Sequence, residues 1–376
     1  MSGSRDSGDV LLVGSIARPE DGWSVEDVFR GSAEILGGHV SVLPDGEIGD
    51  RSTWITYIAR HTYCRHPDLV TLSRHTFEDW KPKHYDDQWR FAVREGVNDI
   101  RFTQIGYGDE AKRSYEIFRR LREEGVIPAG IRFLVAYPLT ESAVRAFFEN
   151  ARDFELVWRA YNEAVTRELR DLASSIPHED LAIQWDLARE TAAVEGLEFN
   201  FQNAELRSLP PDPMERYCQA LAELSAGIPE DVWLGLHVCY GSLQHKEGKS
   251  PDSAHFVPIR DLGVAVDMLN EGVKACGRRV DYVHMPVQLS EMRDAFYAPL
   301  ERLEVGDARV YIGLLDTSDG VDGALRRISL ARQHLRSFGV ATPCGWGRRP
   351  LSQKVGELLN LNRDVAEAAQ KLPPQA

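Results

Sequence analysis

A chain of 376 residues with 43% hydrophobic and 27% charged residues has the make-up of a globular domain, which excludes a disordered, collagen-like or coiled-coil polypeptide. No apolar run approaches the roughly 18 residues that span a bilayer, and the opening MSGSRDSGDV offers no apolar core for a signal peptide. A net charge of −14, with no basic cluster interleaved with aromatics, speaks against nucleic acid or an anionic membrane as a partner.

Short β-rich apolar runs recur along the chain, mostly separated by helical patterns. The first two are Leu11–Ile16 (LLVGSI) and Val40–Pro44 (VSVLP). Residues 48–125 follow without a clean strand pattern; they carry Trp54, Trp80, Trp89, His61, His66, His75 and His84, a short extended piece at Ile100–Tyr107 and a helical Ser114–Glu124. The third and fourth runs, Ile131–Tyr137 and Leu181–Asp186, flank an amphipathic helix in Glu141–Ala173. A helix in Pro213–Ala226 leads to the fifth run, Val232–Cys239, and the polar His245–His255 reads as a loop. Helical Arg260–Ala275 precedes Val280–Met285 and Ala308–Leu315; helical Val321–Phe338 precedes Val340–Cys344, and Ser352–Ala369 is the final helix.

Nearly continuous apolar strands suit a parallel sheet buried on both faces. Eight such β/α units predict the α/β class and one (β/α)8 TIM barrel over residues 1–376, with a long insertion, residues 48–125, after strand two. An open doubly wound sheet is the alternative, weakened because no G-x-G-x-x-G follows the first strand. The insertion leaves the C-terminal end of a strand, so it either walls the active site or is a packed appendage.

Barrel active sites are built at the C-terminal ends of the strands. Strand one ends at Gly14-Ser15 and strand two runs into Asp45-Gly46-Glu47. Strand four ends at Asp186, strand five at His237-Val-Cys239 and strand six at His284. Asp316-Thr-Ser318-Asp319 follows strand seven, and strand eight delivers Cys344-Gly-Trp346-Gly-Arg348-Arg349. His237 and Cys239 alternate along a strand and point the same way, with Cys344 arriving from strand eight. One imidazole and two thiolates suit zinc, and three protein ligands leave a position open for substrate. The plain alternative is a core histidine beside two buried cysteines acting as small hydrophobes. Cys64, Cys218 and Cys276 read as structural. Five cysteines, few and odd in number, argue for a reducing compartment, and the expected location is the cytoplasm. Asp186 ends an apolar strand and must find a partner or face a cavity. Glu47 is either an exposed loop acid or a site group. Arg348 and Arg349 either clamp an anion or are solvated, and Trp346 and Trp185 either wall the pocket or pack.

Gly14-Ser15, Asp45-Gly46-Glu47, Ile183-Gln184-Trp185-Asp186, His237-Val-Cys239-Tyr240 and Pro343-Cys344-Gly345 occur in an order that resembles the catalytic barrel of cobalamin-independent methionine synthase, in the uroporphyrinogen-decarboxylase-like superfamily. The resemblance covers the whole chain. It implies that His237, Cys239 and Cys344 ligate Zn²⁺, and that Ser15, Glu47 and Asp186 hold the polar end of an amino-acid thiol that attacks a methyl group as thiolate. Two departures stand out. The family's fourth ligand, a glutamate at the end of strand six, is replaced within Val283-His284-Met285-Pro286; His284 either fills that place, supports a ligand or acts as acid–base. The family's Asp-x-His after strand seven reads Asp316-Thr317-Ser318, without the histidine. The length also leaves no room for the family's second, folate-binding barrel, so a standard folate-dependent methionine synthase is not expected.

The expectation is a zinc-dependent methyl- or alkyl-transferase acting on a homocysteine-like thiol, with a small methylated molecule or a corrinoid or other methyl-donor protein as donor. Asp186, His284 and Asp316 are its expected catalytic residues; Ser15, Glu47, Asp186, Trp346 and Arg348 contact substrate. The alternative keeps the barrel site and uses zinc as a Lewis acid for a lyase, decarboxylase or hydrolase; a third reading is a metal-free decarboxylase.

Overall fold

The computed structural model describes residues 8–73, 89–196, 211–241, 259–349 and 352–372; the insert His245–His255 and the residues His75, Trp80 and His84 lie outside the described residues. The strands among them are β1 (Val10–Leu11), β2 (Val42–Pro44), β3 (Leu69–Ser73), β4 (Arg90–Val93), β5 (Arg132–Pro138), β6 (Leu181–Leu187), β7 (Trp233–Val238), β8 (Tyr282–Pro286), β9 (Arg309–Gly313) and β10 (Gly339–Ala341). Eight of them form one sheet in the order β1-β10-β9-β8-β7-β6-β5-β2, with every pairing parallel. Its two ends meet where the Val10 amide donates to the His39 carbonyl (2.8 Å) and the Ile16 amide to the Gly46 carbonyl (3.2 Å). The result is a nearly closed (β/α)8 barrel ringed by helices, and each of the eight barrel strands overlaps one of the expected apolar runs, the first at Leu11 alone.

Burial on both faces explains why these runs read as continuous hydrophobes. All seven residues of β6 are buried; Ile183 and Trp185 belong to the large core between sheet and helices, while Ala182 joins a separate inner cluster with Leu11, Val13, Val42, Leu134, Tyr282, Tyr311 and Ala341. That inner cluster plugs the barrel. Tyr282 lies across β7 because Gly235 has no side chain: a Cβ there would stand 2.1 Å from the tyrosine ring. The Tyr282 hydroxyl donates to Gln184 Oε1 at 3.0 Å, so its buried polar end is satisfied. In the helical ring, Val25–Leu36 starts at a capping box in which Ser24 Oγ accepts from the Asp27 amide, and Asn150 caps the helix Ala151–Ser175 in the same way.

The stretch between β2 and β5 divides in two. Tyr107–Glu123 is a helix of the outer ring, packed against Val25–Leu36 and Ala151–Ser175. Before it come the helix Ile55–His61 and the antiparallel β3–β4 pair. Aromatic packing joins this part to the main core: Tyr63 packs edge-on or tilted against Phe91 and Phe102 and against Phe147 and Phe148, which follow β5. Among the described residues no helix is long and apolar enough to cross a membrane.

Candidate metal and substrate site

Strand register gathers the first side chains. Asp186 of β6 pairs with His237 of β7, which pairs with His284 of β8, so three adjacent residues face the barrel interior at one level. Cys239 follows His237 by two residues and keeps its direction. Cys344 enters from the loop after β10. One ligand atom from each of His237, Cys239 and Cys344 lies within 4.8 Å of the others, and the two Sγ atoms are 3.6 Å apart. Two thiolates on a tetrahedral zinc with bonds of about 2.3 Å would be separated by about 3.8 Å, so the donor set fits such an ion.

The electrostatics fit as well. The Cys239 thiol is held well above its ordinary range by its hydrogen bond with Cys344 and by burial, and a bound cation would favour the thiolate instead. Burial, and then the neighbouring His237, keep the His284 imidazole well below its usual range. Both His284 nitrogens are engaged, Nδ1 with His237 Nδ1 at 2.7 Å and Nε2 with the Thr342 carbonyl oxygen at 3.1 Å. Burial raises the Asp186 carboxyl well above the usual carboxylate range, and the charge of Glu47 adds to this; the Gln184 amide, donating to Asp186 Oδ1 at 2.8 Å, opposes it.

The loop carrying Cys344 is pinned from several sides. The Thr342 hydroxyl donates to the Cys344 carbonyl (2.8 Å) and accepts from Trp346 Nε1 (2.6 Å). The Trp346 amide donates to the Ser15 carbonyl (2.7 Å) and the Gly347 amide to Ser15 Oγ (3.0 Å). Gly347 is required by that approach, since a Cβ would stand 2.2 Å from Ser15 Oγ. Arg349 is buried and donates to the carbonyls of Ile16 (2.8 Å) and Trp346 (3.0 Å) while pairing with Asp21. It therefore staples the loops after β1 and β10 together and is neither a solvated arginine nor an anion clamp.

A cavity opens over these groups, and Ser15, Glu47, Asp186, His237, Cys239 and Cys344 all line it. Its walls also include Ser52, Trp54 and Ala188, which the sequence did not single out. Among the described residues, Glu47 (φ 52°) and Trp54 (φ 50°) are the non-glycine residues at positive φ, and both face this cavity. Such strain concentrates at functional sites. The Glu47 turn is fixed by the buried Asp45, whose Oδ1 accepts from the Glu47 amide (3.0 Å) while Oδ2 accepts from Arg51 (2.6 Å) and from Ser114 Oγ (2.7 Å). The segment after β2 thus supplies part of the wall.

Other expected residues stand apart from the cavity. Asp316 is spent on a turn, its Oδ1 accepting from the Ser318 amide at 2.8 Å ahead of the helix Gly320–Ala331. Trp346 is buried against Thr342 and holds the Cys344 loop from behind. His284 sits behind His237, outside the group of three donors. The side chain of Arg348 lies outside the described residues.

No family model matches the chain, and no curated protein resembles it in sequence. Solved structures do resemble it in fold. A B12-independent methionine synthase from Shewanella sp. W3-18-1, in complex with selenomethionine, superposes with a TM-score of 0.59 at 14% identity, covering 97% of this chain and 98% of that one. A Listeria monocytogenes protein provisionally assigned the same activity gives a TM-score of 0.54 at 12% identity, covering 96% of this chain and 98% of that one. At such identities the likeness is one of fold: this chain has the barrel of the B12-independent methionine synthases over nearly its whole length.

Proposed function

We propose that the chain is a zinc-dependent methyl- or alkyl-transferase whose acceptor is a small thiol of the homocysteine type. The observation that carries this reading is convergence: three soft and borderline donors, His237, Cys239 and Cys344, meet in the cavity that Ser15, Glu47 and Asp186 also line. His237, Cys239 and Cys344 would hold Zn²⁺, which when bound supplies a position where a thiol is kept as its nucleophilic thiolate at neutral pH. The Shewanella structure holds selenomethionine, a methylated selenium amino acid, and a cavity lined by both the His237, Cys239 and Cys344 donors and the carboxylates of Glu47 and Asp186 suits a ligand of that kind.

The chain's own residues divide the remaining work. Glu47 and Asp186 take the acceptor's ammonium group through charge-assisted hydrogen bonds. Burial favours the neutral form of Asp186 and an ammonium beside it would favour the carboxylate, while Gln184 keeps the group oriented. Ser15 Oγ accepts from the Gly347 amide and so keeps its hydroxyl proton to donate to the substrate's polar end. The methyl donor in this reading is a small methylated molecule or a methyl-carrying protein such as a corrinoid protein.

One observation favours a second reading on the same scaffold. A carboxyl raised by burial, as Asp186 is, is suited to general-acid work, which a zinc-dependent lyase, decarboxylase or hydrolase would use. Metal analysis of the purified protein, followed by turnover assays with and without added thiols, separates the two. A single zinc per chain and strict dependence on a thiol support transfer. Turnover of a carboxylated substrate with no thiol present supports the lyase reading, and a protein that neither retains nor takes up zinc refutes both.

A further inference from the structure

We infer that His284 is a positioning residue that sets the tautomer of His237 and is not itself a metal ligand. The inference rests on the metal reading above for its consequence; its geometry stands on hydrogen bonds alone. The two histidines are register partners on β7 and β8, with Nδ1 facing Nδ1 at 2.7 Å and the rings tilted by 48°. A hydrogen bond at that distance needs one donor and one acceptor, so only one of the two Nδ1 atoms carries the hydrogen.

The other end of His284 decides which. Its Nε2 lies 3.1 Å from the Thr342 carbonyl oxygen, a group that can only accept. His284 Nε2 must then donate. Its partners are another imidazole and a carbonyl, neither a carboxylate that would hold a second proton on the ring. His284 is therefore the Nε2–H tautomer with a lone pair on Nδ1, and His237 Nδ1 donates to it. That leaves the lone pair of His237 on Nε2, the nitrogen not occupied by His284 and the one available to the group shared with Cys239 and Cys344.

Thr342 consequently governs two of the three donors. Its carbonyl orders the His284–His237 pair, and its hydroxyl fixes the carbonyl of Cys344. With both of its nitrogens engaged, His284 adds no fourth ligand, and the site keeps three protein donors and an open position for substrate. Outer partners of this kind orient the ligating imidazole and commonly govern metal affinity by a factor of about 10–100.

The test begins with the metal-free full chain, by ¹⁵N-edited NMR of the histidine rings at neutral pH. The expected result is an Nδ1–H tautomer for His237 and an Nε2–H tautomer for His284; an Nε2–H tautomer for His237 overturns the inference whether or not the protein binds zinc. Next, zinc affinity is measured by chelator competition. His284→Leu is expected to weaken binding about 10–100-fold, and His284→Gln, whose amide can still accept and donate, to recover part of the loss; unchanged affinity in a folded His284→Leu protein overturns it. X-ray absorption of the zinc-loaded wild type should report one imidazole and two sulfurs, and a second imidazole in that shell also overturns it. If wild type takes up no zinc at all, the proposed function fails while the NMR result still decides the tautomer.

Discussion

The two sides of the cavity are built in opposite ways. On the β7–β8–β10 side, His237, Cys239 and Cys344 sit on or just beyond regular strands, at negative φ, and are locked by hydrogen bonds through His284, Thr342 and Trp346. On the β1–β2 side, Glu47 and Trp54 are held at positive φ by a turn centred on buried Asp45 and Arg51. Each such residue costs about 1–3 kcal/mol. His237 sits on the sheet and the two cysteines just beyond strand ends, which suits groups that must meet one another with little positional error, whereas a loop backbone can be bent to aim a side chain.

That division predicts separable losses. The largest belongs to Cys239→Ser, which removes a donor itself and is expected to reduce zinc affinity by more than the roughly 10–100-fold typical of supporting residues. Trp54→Ala, on the opposite wall, is expected to leave zinc content unchanged while raising the KM for the acceptor. Metal analysis and steady-state kinetics on the two proteins check this together. Loss of zinc from the Trp54 variant would merge the two sides into one structural unit and end the comparison.

A second effect, on stability, sits beside the strand side. Glu190, in the helix Arg189–Val194 after β6, accepts from the Ser142 amide (2.9 Å) and hydroxyl (2.6 Å), and the same hydroxyl accepts from the Ala188 amide (3.1 Å) on the cavity wall. Burial pushes its carboxyl up from 4.5 to about 7, against the pull of those hydrogen bonds. Its folded value is raised, so its contribution to stability is full below the unfolded value of 4.5 and declines as pH rises to about 7. The decline between pH 5 and 8 is on the order of 2–3 kcal/mol. Urea unfolding of wild type and Glu190→Gln across that range should show the wild type losing this much relative to the variant; parallel curves would mean that Glu190 is ionised throughout.

Slightly smaller is the effect of Gln184→Leu. The Gln184 amide donates to the Val13 carbonyl (2.7 Å) and to Asp186 (2.8 Å) and accepts from Tyr282 (3.0 Å), so the leucine strands three buried groups. A loss of about 1–3 kcal/mol in unfolding free energy is expected. Tyr282→Phe in the same background should cost little more, since the hydroxyl has already lost its partner.

The same contrast explains what could be read from the chain. All eight barrel strands were legible, because burial on two faces leaves near-continuous apolar runs such as that of β6. His237 and Cys239 were legible through the period of a strand, and Cys344 through its place after the last one. Trp54 and Ser52 were not, because what brings them to the cavity is the short helical turn Gly49–Thr53 and a strained φ, which leave no periodic trace. Thr342 acts partly through its carbonyl, which every residue possesses. Asp316 looked reactive at a strand end, yet its side chain turned back onto the Ser318 amide, a local choice that short acidic side chains often make. Trp346 was expected to contact substrate; its side chain is instead buried and donates to Thr342.

The smallest expected effect tests the strained side most directly, by separating strain from charge at Glu47. Glu47→Gln removes the charge and keeps a side chain that resists positive φ; Glu47→Asn removes the same charge with a residue that enters the left-handed region far more readily. Both variants should weaken acceptor binding, and both should let the Asp186 carboxyl fall toward its ordinary range, since Glu47 is the second cause of its rise. Only the asparagine should gain stability, by about 1 kcal/mol over the glutamine variant in chemical unfolding. Equal stability of the two would mean that the turn around Asp45 and Arg51 accepts this backbone without strain. A gain confined to asparagine, accompanied by loss of acceptor affinity in both, would show a backbone distortion maintained for the carboxylate it aims.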